Sequence, residues 1–127
     1  MQKHTITIAG TEFPLGFDVR AWINELEPAF GSLDKMAEKL GGQDKPITAG
    51  VTMLTFVINA GFRAEGNNKT ISKEWLIDNL KPKEVALAVQ EGQKAIIASF
   101  RQEETESDQG PVDVVLAELE KKATGSA

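Results

Sequence analysis

The sequence contains no cysteine and only one histidine, His4, among its 127 residues. Without cysteine, disulfide bonds and thiolate metal ligands are excluded. Zinc sites are built mainly from cysteine and histidine, so a zinc site is close to excluded as well. His4 stands at the start of the first predicted strand, and we interpret it as a solvated strand end. The sequence therefore predicts no metal site and no cofactor.

Clustered basic residues are also missing. The chain has 14 basic and 19 acidic residues, a net charge of −5. Seven acids and two bases lie from Glu103 onward, so the tail carries the whole −5 and residues 1–102 are neutral. A neutral body with an acidic tail predicts no nucleic-acid partner and no binding to an anionic membrane surface.

Signals for export or membrane insertion are lacking. The start, MQKHTITIAG, has no long apolar segment of the kind found in signal peptides. We find no apolar run approaching the roughly 20 residues needed to cross a bilayer. The sequence therefore predicts a soluble, intracellular protein.

Apolar residues are present in the proportion of an ordinary single domain, 41%. Their longest concentration is Pro46–Arg63, where only two threonines interrupt the run from Val51 to Ile58. This stretch exceeds an ordinary strand in length, so we predict a helix. Because it is apolar nearly all round, we place it at the centre of one core, with Val51, Leu54 and Ile58 innermost.

Two short alternating patterns at the N-terminus predict a β-hairpin, with strands at Thr5–Ala9 and Glu12–Phe17 around Gly10. Pro14 cannot donate to a β-ladder, so the second strand is expected at a sheet edge. A lone hairpin is marginal in water. We therefore expect it to lie on helices.

Helical periodicity accounts for most of the remaining body. Four further helices are predicted at about 19–27, 33–40, 73–80 and 82–102, with Asp18, Ser32 and Ser72 as N-caps. Pro28 lacks a backbone donor, so the first of these helices is predicted to end before it. The predicted fold class is α+β, mostly α: an N-terminal β-hairpin packed on a bundle of about five helices.

The chain divides into a hairpin-plus-helix domain at 1–102 and a tail at 103–127. Glu103–Pro111 is acidic and polar and ends in Gly-Pro, which is typical of a disordered linker. A short apolar stripe follows at helical spacing, made of Val112, Val115, Leu116 and Leu119. This segment is marginal as an isolated helix. Two interpretations stay open: it folds on a partner, or it is a frayed terminal helix.

No pattern typical of a catalytic site is present. Gly41–Gly42 lacks the strand-to-helix context and the Lys-Ser/Thr of a phosphate loop, and we interpret it as a helix stop. The serines lack the glycine frame of a nucleophile elbow. Trp22 and Trp75 lie on predicted apolar helix faces without a basic patch, which is typical of core or interface anchors. We predict that the protein is not an enzyme.

Several segments follow one another in a characteristic order. TITIAGTEFPLGFDVRAWINELE comes first, then GSLDKMAEKL, then an apolar helix ending in AGFR, and finally ISKEWLIDNL and PKEVALAVQEGQKAIIASF. In this order and spacing, over about residues 3–102, the chain resembles the tail assembly chaperones of long-tailed (siphovirus-type) bacteriophages and prophages. The resemblance contains no catalytic signature.

This resemblance implies a protein of the host bacterial cytoplasm that is absent from the mature virion. It would bind the tape-measure protein, keep it soluble and help recruit tail-tube subunits. Many family members also have a longer, frameshifted form, for which Lys121–Lys122 suits a slippery codon pair. The edge strand of the hairpin is in addition compatible with a homo-oligomer.

A chaperone for a long amphipathic helix needs an apolar groove between its own helices. We place this groove near Trp22, Phe30, Trp75 and Phe100, each of which could instead belong to the core. Two other classes stay open. One is a structural tail or neck component, or a generic helical interaction domain of a prophage. The other is a small enzyme or ligand-binding domain, which would need convergent polar groups in a pocket.

Overall fold

The computed structural model describes residues 4–101, so the predicted linker and the apolar stripe of the tail lie outside the described residues. β1 (Thr5–Ile8) and β2 (Thr11–Pro14) form an antiparallel pair, and six α-helical segments follow. These are α1 (Val19–Ala21), α2 (Glu27–Phe30), α3 (Leu33–Gly41), α4 (Pro46–Ala64), α5 (Lys73–Asn79) and α6 (Pro82–Arg101). A π-helical segment, Trp22–Leu26, joins α1 to α2 into one helix. The predicted hairpin on about five helices is confirmed.

The hairpin turns through Ala9 and Gly10, both with positive φ. Two such residues suit the tight turn that matches the twist of paired strands. Ile6 faces Phe13 in the register, and both are buried. The strands are shorter than predicted, because Ala9 belongs to the turn and β2 ends at Pro14.

Beyond Pro14 the chain leaves the hairpin for α4. The Leu15 N–H donates to the His4 carbonyl at 2.9 Å, and the Gly16 N–H donates to the Val57 carbonyl at 3.0 Å. Gly61 of α4 allows this approach, since a Cβ there would lie 2.5 Å from the Pro14 carbonyl carbon. Backbone therefore packs directly on backbone where the hairpin meets the central helix.

The helix after the hairpin does not end at Pro28 as predicted. Asp18 caps it as expected, accepting from the Ala21 N–H at 2.9 Å. At Glu27 the backbone N–H reaches back five residues to the Trp22 carbonyl, which closes a wider π turn. Pro28 follows directly as the second residue of α2, and the wider turn before it lets the helix continue although Pro28 has no N–H to donate. The helix stops at Gly31, with φ 95°.

The core surrounds α4, in which eleven of 19 residues are buried. Val51, Leu54 and Ile58 are all buried, which confirms them as core residues. Contrary to the estimate from the sequence, α4 is long and apolar enough to cross a membrane, by length and composition alone. In this fold 61% of its most apolar window is packed inside the protein, so burial in the core accounts for its composition.

α4 and α6 pack side by side through glycines. A Cβ at Gly50 would lie 2.6 Å from Val89 Cγ2, and a Cβ at Gly92 would lie 2.7 Å from Met53 Cε. Position 50 of α4 meets position 89 of α6, and position 53 meets position 92. The residue numbers rise together along the two helices, so α4 and α6 run parallel. The N-terminal ends of both helices therefore lie at one end of the domain.

Candidate functional site

Two of the four predicted partner residues come together at the C-terminal end of α6. The rings of Trp22 and Phe100 lie 5.2 Å apart between centroids, at an interplanar angle of 88°. Phe17 contacts both of them and also Phe56 of α4, with centroid distances of 5.9–6.2 Å. Phe56 is buried and the other three rings are half-buried. We call these four residues the Trp22 cluster.

Trp75 belongs to a separate group. It packs edge-on against Phe13 of β2 at 5.4 Å, and Phe13 in turn contacts Phe62 at 6.1 Å. These three rings and Ile71 line an open hollow of about 710 Å³, which we call the Trp75 hollow. Among residues 4–101, no ring contact joins this group to the Trp22 cluster.

Phe30, the fourth predicted residue, lies at the end of α2 and packs half-buried against the core. The structure therefore brings Trp22 and Phe100 together but places Trp75 and Phe30 elsewhere. The four half-buried side chains serve the packing of the core while each keeps an exposed edge. Contact of these residues with a partner stays a prediction.

Two hydrogen bonds between Asn59 and Ile71, which we call the Asn59 clasp, position the segment that carries Trp75. The Asn59 side chain accepts from the Ile71 N–H at 2.7 Å and donates to the Ile71 carbonyl at 3.1 Å. This pair of bonds holds the loop after α4 against that helix. Ser72 then caps α5 as predicted, accepting from the Trp75 N–H at 3.0 Å. Asn59 directly follows the apolar run Val51–Ile58 within the stretch Pro46–Arg63, so its position in the sequence hinted at a specific polar contact.

The sequence did not predict a cleft at the N-terminal ends of α4 and α6. It has a volume of about 500 Å³ and lies between the end of α3, the start of α4 and the first half of α6. Its apolar lining includes Leu40, Ile47, Val85, Leu87 and Val89. We call it the α4/α6 cleft. Among the described residues, one charged side chain lines it, that of Lys83.

Two large aliphatic side chains stand exposed at this cleft, Ile47 of α4 at 58% and Leu87 of α6 at 63%. Ile47 follows the N-terminal Pro46, where α4 has not yet entered the core. Leu87 lies off the buried stripe of α6 that contains Val85, Ala88 and Ile96. An apolar residue outside the core stripe of a helix was the available sequence signal for this surface.

A bidentate ion pair joins the start of α1 to the end of α4. The Arg63 guanidinium donates from Nε to Asp18 Oδ2 at 3.0 Å and from Nη2 to Asp18 Oδ1 at 2.7 Å. The hydrogen bond from Arg63 lowers the pKa of the Asp18 carboxyl, against a smaller opposing effect of burial. Asp18 thus caps α1 and anchors it to the end of α4, which is a structural role.

The polar side chains of residues 4–101 form no convergent cluster. Within 4–101, no three side chains of the histidine, cysteine, aspartate or glutamate type converge as a metal site would require. Gln93 is the only buried polar or charged side chain in this range, and it lies beside the α4/α6 cleft.

Comparison of the chain with protein-family models, with curated proteins and with solved structures found no significant match.

Proposed function

We propose that this protein is a non-enzymatic assembly chaperone that holds an amphipathic helix of a tape-measure protein in the α4/α6 cleft. The observation that supports this best is the exposure of Ile47 and Leu87 over an apolar cleft between two helices. Large exposed aliphatic residues that line a shared concavity are typical of an interaction surface. A helix laid in such a groove buries side chains at positions i, i+3, i+4 and i+7.

The dimensions suit a short helical segment. From Val85 to Gln93 the cleft follows α6 over eight helical steps, which is ~12 Å at 1.5 Å per residue. That length accepts about two turns of a partner helix, hence two or three apolar anchors. Lys83 at one end favours an acidic residue on the partner there. Such a surface can bind successive parts of a long helix without reading one sequence strictly.

The resemblance to phage tail assembly chaperones supplies the biological setting of the proposal. The protein would act in the host bacterial cytoplasm, recruit tail-tube subunits and leave before the virion is complete. The Trp22 cluster and the Trp75 hollow are candidates for contacts with the tail-tube subunit or with a second copy of this chain. Particle proteomics separates this proposal from a structural tail component, which would remain in mature virions.

The test is co-expression of the full chain with the tape-measure protein, taken as the long helical reading frame beside its gene. The soluble fraction of the tape-measure protein should rise when the chain is present. L87E should abolish this rise, because it places a charge over the apolar cleft. The matched control is I77E, since Ile77 is exposed to a similar degree, 55%, and lies on α5 outside the cleft lining.

Two results would contradict the proposal. The first is equal solubility of the tape-measure protein with and without this chain, which ends the chaperone hypothesis. The second is an equal loss with L87E and I77E while both variants keep the thermal unfolding midpoint of the wild type. That would place the binding surface outside the α4/α6 cleft.

A further inference from the structure

We infer that residues 112–119 of the chain's own tail occupy the α4/α6 cleft when no partner is bound, so that a partner must displace them. The inference rests on the proposed function only in that both use the same cleft. It assigns an occupant to a surface that residues 4–101 leave open. Four observations support it: the exposed aliphatic side chains at the cleft, the apolar residues of the tail at helical spacing, the length of the linker, and the acidic residues of the tail.

The rim needs an apolar cover. Among residues 4–101 nothing covers the outer faces of Ile47 and Leu87. Exposed aliphatic side chains on both sides of one cleft are unfavourable in water and favour any apolar segment held nearby. The tail carries such a segment in Val112, Val115, Leu116 and Leu119, spaced to form one face of a helix.

The tail is long enough to reach the cleft. It starts at the end of α6, and the near end of the cleft, Gln93, lies eight residues back along that helix, ~12 Å away. Ten residues separate Arg101 from Val112. A chain of that length spans up to ~33 Å when extended and ~16–19 Å on average when flexible. Val112 can therefore arrive at Gln93 without strain.

The lengths of segment and cleft agree. As a helix, 112–119 would extend ~10 Å over seven helical steps, close to the ~12 Å over which α6 lines the cleft from Val85 to Gln93. Entering at Gln93, the segment would run antiparallel to α6 and end near Lys83. Glu118 at its C-terminal end, and Glu120 directly after it, would then lie by Lys83, the one charged residue that the described part of the chain places in the cleft lining. The opposite direction would leave these acids beside Gln93.

Residues 112–119 would cover the α4/α6 cleft reversibly. A tether of ten residues sets a local concentration of the order of millimolar, so even a weak contact keeps the cleft occupied. A short segment that is marginal as an isolated helix leaves easily. A longer amphipathic partner offers more apolar surface and replaces it. The cleft is then covered in the free protein and available to the partner.

The absence of cysteine makes a direct test straightforward, since a single introduced thiol can be labelled. In the full chain, A117C carries a nitroxide label on the side of the helix away from the apolar stripe, and amide signals are followed by NMR with no partner present. We expect the signals of Ile47, Leu87 and Gln90 to lose at least half of their intensity, and the signal of Ile77 to change little. Adding V115E and L116E should restore the three cleft signals, whereas adding V114E, away from the stripe, should not.

Three results would overturn the inference. The first is broadening that is no stronger at the cleft than at Ile77. The second is broadening that survives V115E and L116E. The third uses a mixture of two chains: A117C with the nitroxide but without ¹⁵N, and the ¹⁵N-labelled wild type without a nitroxide. Broadening of the cleft signals to the same extent in this mixture would show that the occupant is the tail of a second copy.

The same variants separate this inference from the proposed function. V115E and L116E together should raise the affinity of the full chain for a tape-measure helix by about 3- to 10-fold, because the competing segment is removed. If the nitroxide at A117C does not broaden the cleft signals but the chain still binds the tape-measure helix, the inference is wrong and the proposed function stands. A nitroxide effect at the cleft without any tape-measure binding defeats the proposed function alone.

Discussion

Gly61→Ala tests how the hairpin is attached to the central helix. The glycine lies near the C-terminal end of α4, where the chain leaving β2 crosses it. A Cβ at this position would clash with the Pro14 carbonyl oxygen and lie 2.5 Å from its carbon and 2.8 Å from the Leu15 nitrogen. These are backbone atoms, and Gly16 beside them is held by its bond to the Val57 carbonyl. They cannot rotate away as a flexible side chain could.

The magnitude follows from opposing effects. Alanine is favoured over glycine inside a helix by roughly 0.5–1 kcal/mol, which stabilises the variant. Carbon atoms normally pack ~3.5–4.0 Å apart, so the hairpin must retreat by about 1 Å. Overpacking of this kind costs ~1–3 kcal/mol. Loss of the Gly16–Val57 hydrogen bond adds ~0.5–1.5 kcal/mol. We expect Gly61→Ala to lower the free energy of unfolding by ~1–3 kcal/mol.

Gly92→Ala is the matched control. It also adds a methyl group to a buried glycine inside a helix, but the nearest atom is Met53 Cε, the end of a flexible side chain. Turning that side chain costs about 0.5–1.5 kcal/mol, which the gain in helix propensity largely offsets. The free energy of unfolding of this variant should therefore stay within about 1 kcal/mol of the wild type.

Urea unfolding followed by tryptophan fluorescence and circular dichroism measures both variants, since the chain has two tryptophans. Hydrogen exchange of the Gly16 amide adds a local measurement, and it should quicken in Gly61→Ala beyond the change in global stability. Equal stability of Gly61→Ala and Gly92→Ala, or unchanged protection of Gly16, would refute the backbone contact between hairpin and α4.

Three further variants test other contacts. Leu54→Ala should lower the free energy of unfolding by ~2–5 kcal/mol in urea titrations, because the side chain is fully buried; a drop in partner binding with an unchanged unfolding midpoint would contradict its assignment to the core. Asp18→Asn keeps a capping side chain but loses the ion pair with Arg63. Because both side chains are partly exposed to solvent, the loss should lower the free energy of unfolding by only about 0.5–1 kcal/mol. Since the folded pKa of Asp18 lies below its ordinary value of 3.8, this contribution is present above that pH and lost as the pH falls through the folded pKa. The stability difference between wild type and Asp18→Asn should therefore be largest at neutral pH and shrink as the pH falls below 3.8; a difference that stays constant would argue against the ion pair. Asn59→Ala leaves the Ile71 N–H and carbonyl unpaired and should cost ~1–3 kcal/mol, with faster exchange of the Ile71 amide; unaltered exchange there would show that the clasp is dispensable.

Local signals predicted most of the fold because each stands for a single physical cause. The caps at Asp18, Ser32 and Ser72 all accept the expected backbone hydrogen bonds. Length identified α4 as a helix although its β-branched content also suited a strand. Pro28 misled the prediction, because a π turn placed before the proline lets the helix continue. That turn depends on how the helix packs as a whole, which no short pattern specifies.

The candidate sites were harder to predict than the fold. Periodicity places Trp22, Phe30, Trp75 and Phe100 on apolar faces, but which rings meet depends on how the helices are arranged in space. The α4/α6 cleft arises from three segments that are distant in sequence, around Leu40, Ile47 and Leu87. Such a surface is formed by the apolar side chains that stay exposed once the helices have packed around the core. Only Leu87, outside the stripe of its helix, could have been noticed beforehand.

The central helix contributes to the core and, under the proposed function, also to the binding cleft, and the two contributions can be tested separately. Leu54 and Ile58 in its middle are fully buried, whereas Ile47 near its first turn is exposed to the cleft. Substitution in the middle changes stability, because a cavity forms and its neighbours relax only in part. Substitution at Ile47 by a polar residue removes little buried surface and should leave the unfolding midpoint near that of the wild type. Binding measured with Ile47→Ser therefore reports on the cleft itself, free of the loss of fold that Leu54→Ala introduces.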